Sequence, residues 1–175
     1  MGAIAWLYAI GSIIKLIQNH HFITAVAERR FARTVEAIRD PFVIICGFGD
    51  TGSLLARGLS DHLMNAVVID SDPERIKALA LRDYRVSMSG LCGDASVPKH
   101  LVDAGIKHPL CRAVVSLIPD EELDLKIAVM TRFLNPEIVI ICRATKARQQ
   151  QHLRYLDSVS LSIPLNCLVC RWEWR

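Results

Sequence analysis

Short apolar runs recur through the middle of the chain, at residues 42–46, 66–70, 84–88, 112–117 and 137–142. They are rich in Val and Ile and show little polar alternation, the pattern of strands buried on both faces. The longer stretches between them carry apolar residues at helical spacing. Leu54, Leu55, Leu59 and Leu63 mark the first, and Ile76, Leu79 and Leu81 the second. Leu101, Val102 and Ile106 mark a third, and Leu123, Ile127, Met130 and Phe133 a fourth. Strand and helix in alternation predict a parallel sheet with right-handed crossovers and helices on both faces. The expected fold class is α/β, a doubly wound parallel sheet.

Two zones flank this pattern. Residues 2–17 are apolar up to Lys15, too short to cross a bilayer alone and without the basic start of a signal peptide. Residues 18–40 are polar with a helical pattern, and Arg29, Arg30, Arg33 and Arg39 outnumber Glu28, Glu36 and Asp40. Pro41 is expected to end this helix. An apolar helix end followed by a basic stretch matches the cytoplasmic side of a membrane helix. The alternative is an amphipathic helix packed on the domain or on a second copy. Residues 158–175 begin as a possible sixth strand and end in a Cys- and Trp-rich tail with neither periodicity. The organisation read from this is 1–40 as apolar helix end and basic linker, 41–157 as the α/β domain, and 158–175 as last strand and tail.

Composition narrows the function classes. At 175 residues the chain has room for one domain of ordinary size, and 51% hydrophobic against 22% charged residues excludes disorder. A net charge of +3 is too mild to call for a nucleic-acid partner. Of the six cysteines, Cys46 and Cys142 end apolar runs and read as buried thiols, while Cys92 and Cys111 fall in loops flanking such runs. Cys167 and Cys170 form a pair with no second pair or spaced His to complete a zinc site, so no metal is expected. This cysteine usage fits a reducing compartment.

The chemistry concentrates in Gly47-Phe48-Gly49-Asp50-Thr51-Gly52, directly after the first apolar run and before a helical segment. In that order the first glycine permits a tight turn and the second lets backbone approach a pyrophosphate. The third lets the helix pack closely, and the helix N-terminus faces the anion. Asp70 ends the next strand, where an acid accepts both hydroxyls of a ribose and repels a 2′-phosphate. No Arg or Lys follows within Ser71-Asp72-Pro73, which favours NAD-type ligands over NADP. Gly93-Asp94-Ala95-Ser96 follows the third strand as a helix-capping loop over the crevice where a base would rest. Asp50 competes with phosphate for the amides at its helix start, leaving open a full pyrophosphate or a single phosphate.

Together these residues resemble the N-terminal domain of the regulator of potassium conductance family, also called the Trk-type NAD-binding domain. The matching stretches are 43–58, 66–75, 93–96, 113–136 and 140–144, within about residues 42–157. The resemblance implies a Rossmann-like domain, preceded by a helix, acting as a ligand sensor at the cytoplasmic face of the membrane. It implies NAD(H) or an adenine nucleotide as ligand, assembly into dimers or rings, and a potassium channel or transporter pore as partner. It puts Gly47, Gly49 and Gly52 on the phosphates, Asp70 on the ribose and Asp94 near the base; Phe48, Asp50, Thr51, Ser71, Gly93 and Ala95 complete the expected site. The family often has Arg where this chain has Asp50, and Asn where it has Asp124. It also continues past the point where this sequence turns into its unusual tail, and the pore segment is absent, so this chain alone is not expected to conduct ions.

The competing class is a small NAD-dependent oxidoreductase or epimerase. Tyr8, Tyr84 and Tyr155 provide no Tyr-x-x-x-Lys pair, and His20, His21, His62, His100, His108 and His152 stand in no recognisable catalytic arrangement. The α/β domain leaves no room for a substrate domain, so a binding module rather than an enzyme is expected. A third class is an assembly domain that has lost its ligand.

Overall fold

The structure, a computed structural model, describes residues 20–142 and 159–161. The apolar segment at 2–17 and the Cys- and Trp-rich tail lie outside the described residues. Helix α1 (His20–Glu36) leads into β1 (Phe42–Cys46), α2 (Asp50–Asp61), β2 (Asn65–Asp70), α3 (Pro73–Leu81) and β3 (Met88–Cys92). Helix α4 (Pro98–Asp103), β4 (Cys111–Ser116), α5 (Glu121–Leu134), β5 (Val139–Cys142) and β6 (Val159–Leu161) follow. All strand pairs are parallel, in the order β3-β2-β1-β4-β5-β6. The doubly wound α/β expectation therefore holds, and β6 adds a strand to the sheet beyond residue 157.

Strand periodicity divides the apolar residues between two cores. Phe42, Ile44 and Cys46 face the layer of α1, α4 and α5, where Val35, Leu101, Ile106 and Ile127 pack. Val43 and Ile45 face the opposite layer, with Ala56, Leu59 and Leu79 from α2 and α3. This two-sided burial is why β1 and β2 show no polar alternation.

Two elements depart from the sequence reading. The third strand is 88–92, not 84–88. It is an edge strand, only partly buried, so it needs no continuous Val/Ile run. Gly90 marks it instead: a Cβ there would lie 2.8 Å from Leu79 Cδ2 and 3.1 Å from Ile76 Cγ2, because α3 crosses directly above. Helix α1 ends at Glu36 rather than running up to Pro41. The residue before a proline is pushed out of helical geometry, and the chain straightens ahead of it. Phe31 and Val35 of α1 are buried against the sheet, so the second half of this helix belongs to the domain. Lys99 of α4, paired with both Glu28 of α1 and Asp103, ties the two helices at the surface.

Candidate functional site

The sheet order reverses direction between β1 and β4: from β1 the chain steps outward to β2 and β3, then returns to the other side. Connections leaving two adjacent strand ends on opposite faces must diverge, and the divergence opens a crevice at the carboxyl ends. A cavity of about 470 Å³ lies there.

One wall is the glycine turn. Gly47 takes φ +97°, a left-handed conformation that side chains resist, and its N–H donates to the Ile69 carbonyl at 2.8 Å. A Cβ on Gly52 would lie 2.2 Å from the Gly47 carbonyl oxygen, so the first turn of α2 closes only on glycine. Gly49 is the N-cap of α2 and supplies no side-chain cap. The first N–H groups of α2 therefore lack intrahelical acceptors beside the cavity. Asp50 opens this helix, is exposed and lines the cavity.

Asp70 stands at the end of β2 with its side chain only 4% exposed. One carboxylate oxygen, Oδ2, accepts the Phe48 N–H at 2.5 Å and the other, Oδ1, accepts the Asp72 N–H at 2.8 Å. Asp72 in turn caps α3 by accepting the Glu74 N–H at 2.9 Å. The third wall is the loop after β3, joined to β2 by the Gly93 N–H on the Asp70 carbonyl at 2.9 Å. Asp94 accepts the Ser96 N–H at 2.7 Å, and its carbonyl meets His100 Nδ1 at 2.7 Å.

All the residues expected at the site line this cavity except Phe48. The Phe48 side chain, 3% exposed, is turned into the core under α2 and α3, where the Arg82 guanidinium lies 5.6 Å from its ring centroid. Only its backbone N–H takes part, through Asp70. Asp124 is likewise turned inward: it accepts the Ser116 hydroxyl in the core and does not line the cavity.

Two parts of the wall escaped the sequence reading. Arg75 lines the cavity, with Nη1 3.4 Å from Asp70 Oδ2 and Nε 3.5 Å from Asp72 Oδ2. A cation thus stands beside the acid after all, two residues beyond Ser71-Asp72-Pro73. The helix start signalled by Asp72-Pro73 would have placed it, since the first turn of α3 folds back over the strand end. Leu117, Ile118, Pro119 and Leu123 form an apolar wall from the end of β4 and the start of α5. Three carboxylates (Asp50, Asp70, Asp94) and one guanidinium (Arg75) line the cavity among the described residues.

Fold and cavity together define a doubly wound domain with a ligand-sized site at its switch point. A TrkA-N domain profile matches residues 43–162, and the chain belongs to that family. It is 25% identical over 146 residues to potassium channel protein 1 of Methanocaldococcus jannaschii, covering 83% of this chain and 42% of that one. It is 29% identical over 152 residues to the glutathione-regulated potassium-efflux protein KefC of Escherichia coli, covering 87% of this chain and 23% of that one. The chain thus spans less than half the length of these relatives. Among solved structures, the Kef C-terminal domain of Shewanella denitrificans in its AMP-bound form is 27% identical with TM-score 0.53, covering 69% of this chain and 70% of that one. The GsuK channel bound to NAD has the same fold at 15% identity and TM-score 0.61, covering 74% of this chain and 22% of that one.

Proposed function

We propose that this chain is the nucleotide-sensing regulatory domain of a potassium channel or potassium transport system, acting at the cytoplasmic face of the membrane. NAD(H) or an adenine nucleotide occupies the cavity, with its phosphate at the glycine turn, its ribose on Asp70 and its base near Asp94. The observation that carries this reading is the buried carboxylate of Asp70 beside a glycine turn whose helix N-terminus is open to the same cavity. The similarity to KefC and to the AMP-bound Kef domain supports the partner class and the ligand class. Domains of this kind pair into dimers or rings, and a ligand alters the pore only if it binds one arrangement more tightly than another.

A binding role rather than an enzymatic one is supported by the relatives, a potassium channel protein and the potassium-efflux protein KefC. Calorimetric titration of the chain with NAD+, NADH, AMP, ADP and ATP tests the reading. Saturable 1:1 binding of at least one is expected, and heat from none of them rejects it. Steady turnover of a hydroxy-acid or sugar substrate with NAD+ would favour the oxidoreductase class instead.

A further inference from the structure

The charge at the start of α2 has the wrong sign for a polyphosphate. A phosphate drawn to the open N–H groups of this helix comes up beside the carboxylate of Asp50, the helix's first residue. Among the described residues that carboxylate has no hydrogen bond or ion pair to neutralise it. Asp70 and Asp94 face the same space. The one lining cation among the described residues, Arg75, already lies within ion-pair distance of both Asp70 and Asp72. Its Nη1 is 3.9 Å from where a Gly49 Cβ would stand, so it reaches the glycine turn.

We propose that Asp50 is a specificity-determining residue that sorts ligands by the number of phosphates at the glycine turn. The proposal rests on the reading that the cavity takes a nucleotide. A first phosphate gains the helix amides and comes within reach of Arg75, which offset the repulsion from Asp50. A second or third phosphate adds charge beside Asp50 with no further described cation to answer it. The cavity thus selects nucleoside monophosphates over di- and triphosphates.

The test is titration of the chain and of its Asp50→Asn and Asp50→Ser variants with AMP, ADP and ATP. Chelator excludes divalent cations, ionic strength is fixed, and thermal melts confirm that both variants fold. AMP is expected to bind the unaltered chain about tenfold more tightly than ADP, a factor set by one added charge at short range. Both substitutions are expected to shrink that ratio by about tenfold while AMP affinity changes less than threefold. Raising the salt should narrow the ratio more in the unaltered chain than in the variants. A ratio that neither variant changes overturns the filter and leaves the nucleotide reading standing. Failure of the unaltered chain to bind any of the three, or NAD(H), overturns both.

Discussion

Asp70 holds the glycine turn with one carboxylate oxygen and the start of α3 with the other, so its charge serves structure before any ligand arrives. An amide at this position has a single acceptor oxygen, and Asp70→Asn must leave either the Phe48 or the Asp72 N–H without its partner. The variant is expected to lose about 1–3 kcal/mol of stability in urea unfolding, and to bind nucleotide at least tenfold more weakly. Arg75→Gln provides the contrast. Its side chain is 51% exposed and its ion pairs are long, so stability should stay within about 0.5 kcal/mol. Any effect of Arg75→Gln on affinity then belongs to the ligand and not to the fold. At this scale the glycines and Asp70 were legible in the sequence, because a tight turn and a strand-end acid are local demands on residue type. Arg75 was not, since its place depends on where α3 begins. Leu117–Leu123 were not either: only the closing of β4 against β1 brings them to the glycine turn. Phe48 was misread as a lining residue because the turn that exposes its N–H sends its ring into the core.

A single methyl group added at three glycines tests how tightly α2 and its junction with β1 are packed. A Cβ at position 52 would collide with the Gly47 carbonyl, and no rotamer relieves a backbone contact. Gly52→Ala should cost about 3 kcal/mol, read as a lowered urea midpoint. Gly49→Ala meets nothing nearer than Arg75 and should leave stability nearly unchanged while its methyl narrows the cavity and weakens nucleotide binding. Gly58→Ala has open space around it in the middle of α2 and should gain up to about 1 kcal/mol. Element legibility followed burial. The central strands, shielded on both faces, announced themselves as Val/Ile runs. The edge strand β3 did not, because half its surface needs no apolar cover and its Gly90 is dictated by α3. Helix α1 read as a basic linker because its Arg residues dominate the count, yet Phe31 and Val35 are the residues that fix it. Phe31→Ala should cost about 3–5 kcal/mol if that docking is integral to the domain. A purely connecting helix would lose almost nothing.

Over the whole molecule, the buried thiols couple the sheet to alkaline pH. Cys46 ends β1, Cys111 begins β4 and Cys142 ends β5, so all three lie within one parallel sheet. Burial raises each thiol from its ordinary value near 9. For Cys46 the thiols of Cys142 and Cys111 and the carboxylate of Asp124 push in the same direction. Cys111 is pushed up to about 12, a backbone hydrogen bond with Ala113 opposing the rise, and Cys142 is pushed up to about 12 by burial and Asp124. In the unfolded chain these groups lose their protons near pH 9, while the folded chain keeps them. Above that pH the folded state therefore binds more protons than the unfolded one, and stability must fall as pH rises. The loss begins near pH 9 and for Cys111 and Cys142 runs to about pH 12, with a limiting slope of about 1.4 kcal/mol per pH unit per thiol. Below pH 9 these thiols contribute no slope. Urea midpoints measured from pH 7.5 to 10.5 should accordingly be flat and then descend, and Cys142→Ala should descend less steeply than the unaltered chain. Alkylation at pH 8 followed by peptide mapping should label the exposed Cys92 while sparing Cys46, Cys111 and Cys142 until urea is added. Ready labelling of Cys46 and Cys142 in the folded chain would mean that the sheet opens at its carboxyl ends. A cavity built on those same strand ends could not then hold a fixed shape for its ligand.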